Sequence, residues 1–400
     1  MLDVTQALTE IRARVRPLEP TVTPLSPDVL GRVLATDVLA DTDSPPFAKS
    51  LRDGYAVRAA DCVPPQAVLA VVAEIAAGAV PTQPIHPGEC VRIFTGAPLP
   101  EGADAVVMQE NTQPLDGERV QITDPTVRPG QWVFPRGAEM RAGEVVLPAG
   151  TVITPVTLGV LASIGMTRVS LYDEPRVSII ATGNELVEAG GKLQPGQIYN
   201  SNGPLLTALA TQAGGRVENL GIAPDNPADI RLLIEEEFDF ADVLLLAGGV
   251  SVGKFDLVPG ILEELGVAIH FRQVRMKPGK PLLFGTKDQT LVFGLPGNPV
   301  SVFVCFELFV RPTLRVLAGH TEPGPRTLML PLAQALAETN DRPTYHPAKL
   351  EMGERGYSVR PLPWRGAPDL RGLQPADALL VLPPGEIRWD CGQLVQVVLV

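Results

Sequence analysis

ADVLLLAGGVSVGKFD, residues 241–256, joins five consecutive apolar positions to a glycine-rich turn and ends on a carboxylate. An apolar run of that length bounded by glycine reads as a fully buried strand, and the glycines let backbone approach a phosphate. From Gly248 the string follows the phosphate-loop pattern G-x-x-x-x-G-K, but Phe255 stands where that pattern requires Ser or Thr. In a phosphate loop that hydroxyl holds the magnesium beside the nucleotide, and a phenyl ring offers the metal nothing. The segment therefore reads as a strand-end binding loop, with nucleoside triphosphatase chemistry as the disfavoured rival.

Around it, from Pro175 to Gly319, the runs RVSIIATG, RVENLGIAPD, DVLLLAGG, VAIHFRQVRMK, LLFGT and LVFGLPG alternate with helical segments. This is the signature of a parallel α/β sheet with helices on its faces. Such open sheets bind ligands at the carboxyl ends of their strands, which makes the loops there the first candidates. ATGNEL, residues 181–186, offers Gly183 for close backbone approach and Glu185 as a rim carboxylate. It reads equally as a strand-to-helix turn with Asn184 as N-cap. Asp225, in GIAPDNPADI, is a second rim carboxylate or the start signal of the next helix.

Gly248, Gly249 and Ser251 form the third loop, whose Asp256 suits a hard cation through oxygen. LPGNPVS, residues 295–301, places Asn298 as an N-cap and Pro299 at the first helical position. The helix N–H groups there are an anion seat or simply the end of a well-capped buried helix. In HFRQVRMKPGKP, residues 270–281, alternation puts Arg275 and Lys277 on one face, and Pro278-Gly279 turns Lys280 back beside them. That is a local concentration of cations in an acidic chain.

Lys plus Arg number 33 against 45 Asp plus Glu, a net charge of −12, which argues against nucleic acid or an anionic membrane as partner. Cys62, Cys90, Cys305 and Cys391 lie far apart with no C-x-x-C pair, so neither a zinc site nor a disulfide framework is indicated. The N-terminus, MLDVTQALTEIRARVRPLEP, spaces Val4, Leu8, Ile11 and Val15 as an amphipathic helix and not as a secretory segment. The apolar run Val300–Val310 is short and carries Glu307, so a buried helix is expected and not a membrane span. A soluble protein in a reducing cytoplasm is the expectation. At 400 residues the chain exceeds one core, and two to about four domains are expected. The N-terminal helix and extended segment run to about Asp43. Short β-rich runs between turns occupy about 44–140, a helix-like pattern returns over 141–172, and β runs resume after Pro323.

Several of these strings together resemble the family of molybdopterin molybdenumtransferases, the bacterial MoeA proteins related to the E domain of gephyrin. SLRDGYAVR at 50–58 is similar to the family's (S/A)-M-D-G-Y-A motif, with Arg52 where methionine is usual. RIFTGAPLPEGADAVVMQE at 92–110, PRGAEMRAGE at 135–144, ATGNEL, GGVSVGKFD, MKPGKP and GLPGNPVS follow in the family's order. The resemblance implies a multidomain α/β and β protein. Residues 1–44 plus 141–172 would form a discontinuous N-terminal domain, 45–140 an inserted β domain, 173–322 a central parallel α/β sheet domain of molybdopterin-binding type, and 323–400 a C-terminal β-barrel.

The implied reaction inserts molybdate into adenylylated molybdopterin, releasing AMP and yielding molybdenum cofactor. The implied roles give Lys277 and Lys280 to phosphate or molybdate, and Glu185, Asp225 and Asp256 to magnesium. Thr182, Gly183, Gly248, Gly249, Ser251, Pro296, Gly297, Asn298 and Ser301 would bind pterin and phosphate groups. Members act as homodimers, so Asp53, Thr95 and Glu139 would serve from the facing subunit; docking of a molybdopterin adenylyltransferase stays open. The family often presents a Ser-Ser pair from its C-terminal barrel, whereas this chain has Trp364–Leu370, WRGAPDL, which leaves Arg365, backbone N–H groups or other residues as substitutes, with Arg365 equally a surface charge of the barrel. A non-catalytic pterin carrier or scaffold is the second rival.

Overall fold

The computed structural model describes residues 1–63, 66–250, 257–354 and 356–400, so the expected site residues Ser251 and Asp256 lie outside the described residues. Contacts divide the chain into two compact units. One holds Met1–Ala35, Val152–Thr154 and Arg168–Val400, and the other Thr36–Thr151 and Pro155–Thr167.

The first unit is organised by a six-stranded sheet. Its strands are β1 (Arg176–Thr182), β2 (Arg216–Ala223), β3 (Val243–Ala247), β4 (Ala268–Gln273), β5 (Pro281–Lys287) and β6 (Thr290–Leu295), in spatial order β2-β1-β3-β6-β5-β4. Helices α1 (Asn202–Gln212), α2 (Pro227–Glu237), α3 (Val258–Glu264) and α4 (Pro299–Cys305) connect or follow them. β2, β1, β3 and β6 are parallel, whereas β5 is antiparallel to both neighbours. The sheet is thus mixed, which corrects the expectation of a wholly parallel one. The cause is local: β5 and β6 are joined only by Asp288 and Gln289, with Lys287 paired to Thr290, and a two-residue link cannot carry a parallel crossover.

β3 and β6 are buried at every position, because both faces of the sheet are covered. Successive side chains alternate between two cores. Val243, Leu245 and Ala247 enter one with Ile179, Phe284 and Phe293, while Leu244 and Leu246 enter the other with Ile180, Leu283 and Val292. The first core also receives Ala7 and Ile11 from the N-terminal helix Val4–Arg12, whose Asp3 makes a capping box with Gln6, and Val15 from the segment after it. Helix α4 runs through a π turn, Phe306–Val310, into Arg311–Leu317. Glu307 there is 3% exposed and pairs with Arg311 at 2.6 and 2.7 Å, so this apolar run is a buried helix with its charge neutralised. Among the described residues no helix is long and apolar enough to cross a membrane.

After residue 323 the unit continues as an antiparallel sheet in the order Thr327–Pro331, Leu394–Leu399, Ala378–Leu382, Thr344–Gly353, Gly356–Pro361. It curls until its edge strands meet at the bridge Leu332 to Val359. A ribbon of Leu336–Asn340 and Gly385–Trp389 stands beside it.

The second unit centres on a mixed six-stranded sheet, ordered Ala105–Met108, Gly54–Val57, Glu89–Ile93, Val68–Ile75, Arg119–Ile122, Thr112–Leu115. Alternation again serves two cores, with Tyr55, Val57 and Val107 on one side and Ala56, Val91 and Val106 on the other. Cys62, Cys90, Cys305 and Cys391 form no disulfide, and burial pushes the Cys62 and Cys90 thiols up to about 11 and about 12.

Phe284 is fully buried, 5.0 Å from the Phe293 ring centroid and 5.7 Å from that of Phe271. Phe284→Ala is expected to lower stability by about 3–5 kcal/mol in urea unfolding. Leu232→Ala, at a position 58% exposed, is expected to change it by less than ~0.5 kcal/mol.

Candidate functional site

The parallel strands β2, β1, β3 and β6 deliver their carboxyl ends to one edge of the sheet. β4 lies two antiparallel steps from β6 and so runs in the same direction, which brings the following loop, Val274–Lys280, to that edge as well. Sheet direction alone therefore gathers Thr182–Glu185, Asp225, Gly248–Gly249, Lys277–Lys280 and Pro296–Asn298.

At the centre of the edge Gly248 has φ +99°, and a Cβ there would stand 2.6 Å from the Thr182 carbonyl oxygen. Gly249, at φ +62°, lies over the Thr182 hydroxyl, which a Cβ would approach to 2.9 Å. Only glycine meets both demands. The Thr182 Oγ1 beneath is buried without a hydrogen-bond partner among the described residues. Asn202, at the first position of α1, donates from Nδ2 to the Gly297 carbonyl at 2.8 Å, and its Oδ1 is likewise buried without a partner among the described residues. Two unsatisfied polar atoms thus flank the glycine loops, a feature that calls for a polar ligand or ordered water. Ser301 is 4% exposed.

The rim carboxylates are tied together differently from the local readings. No helix follows ATGNEL; Leu186–Val187 pairs in parallel with Ile198–Tyr199. Asn184 is not an N-cap but accepts the Asp225 N–H at Oδ1 (3.1 Å), while its own N–H donates to Asp225 Oδ2 at 3.0 Å. The helix after Asp225 is capped by Asn226, which leaves Asp225 for that cross-loop bond. A Cβ on Gly183 would lie 2.5 Å from a Glu185 carboxylate oxygen, so this carboxylate folds back over the loop. Neither Glu185 nor Asp225 has an ion pair among the described residues. Among the described residues no group of three His, Cys, Asp or Glu side chains could hold a metal.

Arg275 and Lys277 are exposed, as alternation predicts, with Val274, Met276 and Pro278 buried around them, and Lys280 is exposed after the Pro278-Gly279 turn. The Lys277 backbone is clamped by its N–H to Pro343 O (2.8 Å) and by Tyr345 N–H to its carbonyl (2.7 Å). The Val274 N–H closes the loop on Lys280 O at 3.0 Å. Gly279 abuts Cys305 and the Ser301 carbonyl, which seats the loop on α4. Asn298 occupies the N-cap position of α4, but its side chain makes no capping bond. One N–H at that end, from Val300, donates to the Ala367 carbonyl at 3.1 Å. Trp364–Leu370 is thereby held at the start of α4. Within it Asp369 accepts the N–H groups of Gly372 and Arg365, which hold its carboxyl below the usual range.

Asp53, Thr95 and Glu139 belong to the second unit. Asp53 Oδ1 accepts both the hydroxyl and the N–H of Thr95, each at 2.7 Å, and these bonds lower its pKa. This joins two motifs 42 residues apart. Glu139 accepts from the Ser44 hydroxyl at 2.8 Å and stands 4.0 Å from the Lys49 ammonium. Asn202 is the candidate that sequence reasoning missed. Its signal was NSN before a helix, which has no ligand pattern until the chain places it beside Gly297.

Three family models match the chain: the MoeA N-terminal region (domains I and II) over residues 2–165, a probable molybdopterin-binding domain over 178–316, and the MoeA C-terminal region (domain IV) over 329–400. A Nostoc protein described as molybdopterin molybdenumtransferase is 39% identical over 376 residues, covering 92% of this chain and 86% of that one. A Bacillus subtilis protein so described is 35% identical, covering 93% and 88%. The crystal structure of a molybdopterin biosynthesis MoeA protein from Pyrococcus horikosii superposes with a TM-score of 0.86 at 30% identity, covering 100% of this chain and 99% of that one.

The Asp53 carboxyl is expected to titrate below the ordinary carboxylate value in carbon-detected NMR, and to move back up in Thr95→Val. Because its native pKa is lowered, its contribution to stability is complete above the ordinary value and is lost as pH falls through the native one. Gly248→Ala is expected to cost about 1–3 kcal/mol from strain at positive φ, read as a fall in urea midpoint.

Proposed function

We propose, since the chain belongs to the MoeA family of molybdopterin molybdenumtransferases, that it inserts molybdate into adenylylated molybdopterin with release of AMP, as a step of molybdenum cofactor biosynthesis. The observation that carries this reading is the convergence of two lysines without ion pairs among the described residues on the glycine loops of one sheet edge. The substrate joins two phosphates and receives an oxyanion, so the reaction gathers negative charge. It needs fixed donors and cations more than an activated side-chain nucleophile. Lys277 and Lys280 supply the cations, and the immobilised backbone at Lys277 limits the reorganisation they undergo. Gly248, Gly249 and Gly297 let backbone close on the phosphates and pterin, with Thr182, Asn202 and Asn298 offering polar contacts. Pro296 and Ser301 complete the loop that frames them.

Magnesium belongs to the same reading. Glu185 and Asp225 are oxygen donors without cationic partners among the described residues, on loops tied by the Asn184 to Asp225 bonds, and this donor set fits a hard divalent ion. Asp256 would complete the set, and Ser251 would add a hydroxyl from the same loop. When bound, the ion would neutralise phosphoryl oxygens. The reading further divides the chain into four domains at the boundaries expected from sequence, closing on a β-barrel. It makes the chain a cytoplasmic homodimer in which Asp53, Thr95 and Glu139 act from the facing subunit, and leaves room for docking of a molybdopterin adenylyltransferase.

AMP release from adenylylated molybdopterin in magnesium is the direct test. Stimulation by micromolar molybdate is the expected result; tight binding without release would replace the enzyme by a carrier. Lys277→Ala and Lys280→Ala are each expected to lower kcat/KM by about 100-fold, or ~2.7 kcal/mol, with unchanged circular dichroism. Asp225→Asn is expected to raise the magnesium concentration needed for half-maximal rate.

A further inference from the structure

A second concentration of cations lies at the opposite, amino edge of the same sheet. A cleft of about 510 Å³ opens there between the segment before β1, the end of α1 and the helix Arg311–Leu317. Arg32, Arg311, Arg315 and His320 line it, with Thr211 and Gln212 on the α1 side. Clefts of this size take small molecules.

The charges do not balance. Arg311 is paired with Glu307 and donates to Gln212 Oε1 at 2.9 Å. Asp173 and Glu174 also line the cleft. Asp173 is shared between Arg32 (3.8 Å) and Arg216 (3.6 Å), and Glu174 pairs with Arg216 at 2.9 Å. Arg315 and the nearby Arg326 have no ion pair among the described residues. Arg32 carries in addition a buried Nε with no hydrogen-bond partner among the described residues.

Of the three arginines lining the cleft, Arg315 is thus the one without an ion pair among the described residues, and its position has an electrostatic cost. Burial, with repulsion from Arg326 and Arg311, holds the Arg315 guanidinium below its ordinary pKa. Burial with the charges of Arg315 and Arg326 pushes His320 down to about 4, so the imidazole is neutral at pH 7. A bound dianion would relieve the repulsion, and guanidinium forks match tetrahedral oxyanions in geometry. In a chain of net charge −12, two cationic clusters at opposite ends of one sheet are not a diffuse surface field.

We infer that this cleft is a second oxyanion site, taking a phosphate-class ligand between Arg315, Arg32 and His320, separate from the loops at the carboxyl edge. The test is calorimetric titration with inorganic phosphate at low ionic strength, in a Lys277→Ala, Lys280→Ala double variant that silences the first site. One phosphate per chain is expected to bind, and Arg315→Ala is expected to weaken it at least about 10-fold. Thr211→Glu, an exposed change that sets a carboxylate at the cleft without removing a packed guanidinium, is expected to do the same and keeps the test decisive should Arg315→Ala fail to fold. Competition by molybdate is expected, because recognition is of a tetrahedral dianion. Loss of all phosphate binding in the double lysine variant, or binding unmoved by Thr211→Glu, would overturn the inference.

Discussion

Burial of β3 and β6 on both faces is the constraint on which the first unit depends. Strands whose successive side chains enter two different cores have no face left for polar chemistry, so function is confined to where the strands end. Parallel direction then sends several ends to the same edge. The glycines there keep side chains out of the way, and the oxygens of Thr182 and Asn202, unsatisfied among the described residues, mark where something polar belongs.

The electrostatics follow the same division. The chain is acidic overall, yet cations are concentrated at Lys277 and Lys280 on one edge and at Arg32, Arg311 and Arg315 near the other. A buried charge is tolerated where it is matched, as Glu307 is by Arg311 inside the long helix. Lys277, Lys280 and Arg315, which have no ion pair among the described residues, are the exception, and an anionic ligand is their natural complement.

Much of this was legible in residue order. The apolar runs gave the strands, alternation from Val274 to Lys277 gave the outward Lys277, the Pro278-Gly279 turn gave Lys280, and the motif order gave the family. Local readings failed where a distant partner competed with a local one. Asn184 and Asp225 each had a plausible helix-capping use, but each instead bonds the other across 41 residues. Asn298 holds the cap position without making the bond. The antiparallel hairpin of β5 and β6 was written in its two-residue link, yet strand composition spoke more loudly than loop length.

The sequence by itself determined the strands, the glycine turns, the family and the residue types at the site, because periodicity and turn chemistry act over a few positions. Only the tertiary structure decided which loops share an edge, that Asn202 joins Gly297, that Thr95 holds Asp53, and that arginines from residues 32 to 315 face one cleft. Those pairings depend on sheet order and direction. Both are set by the packing of whole elements, which no short window of sequence contains.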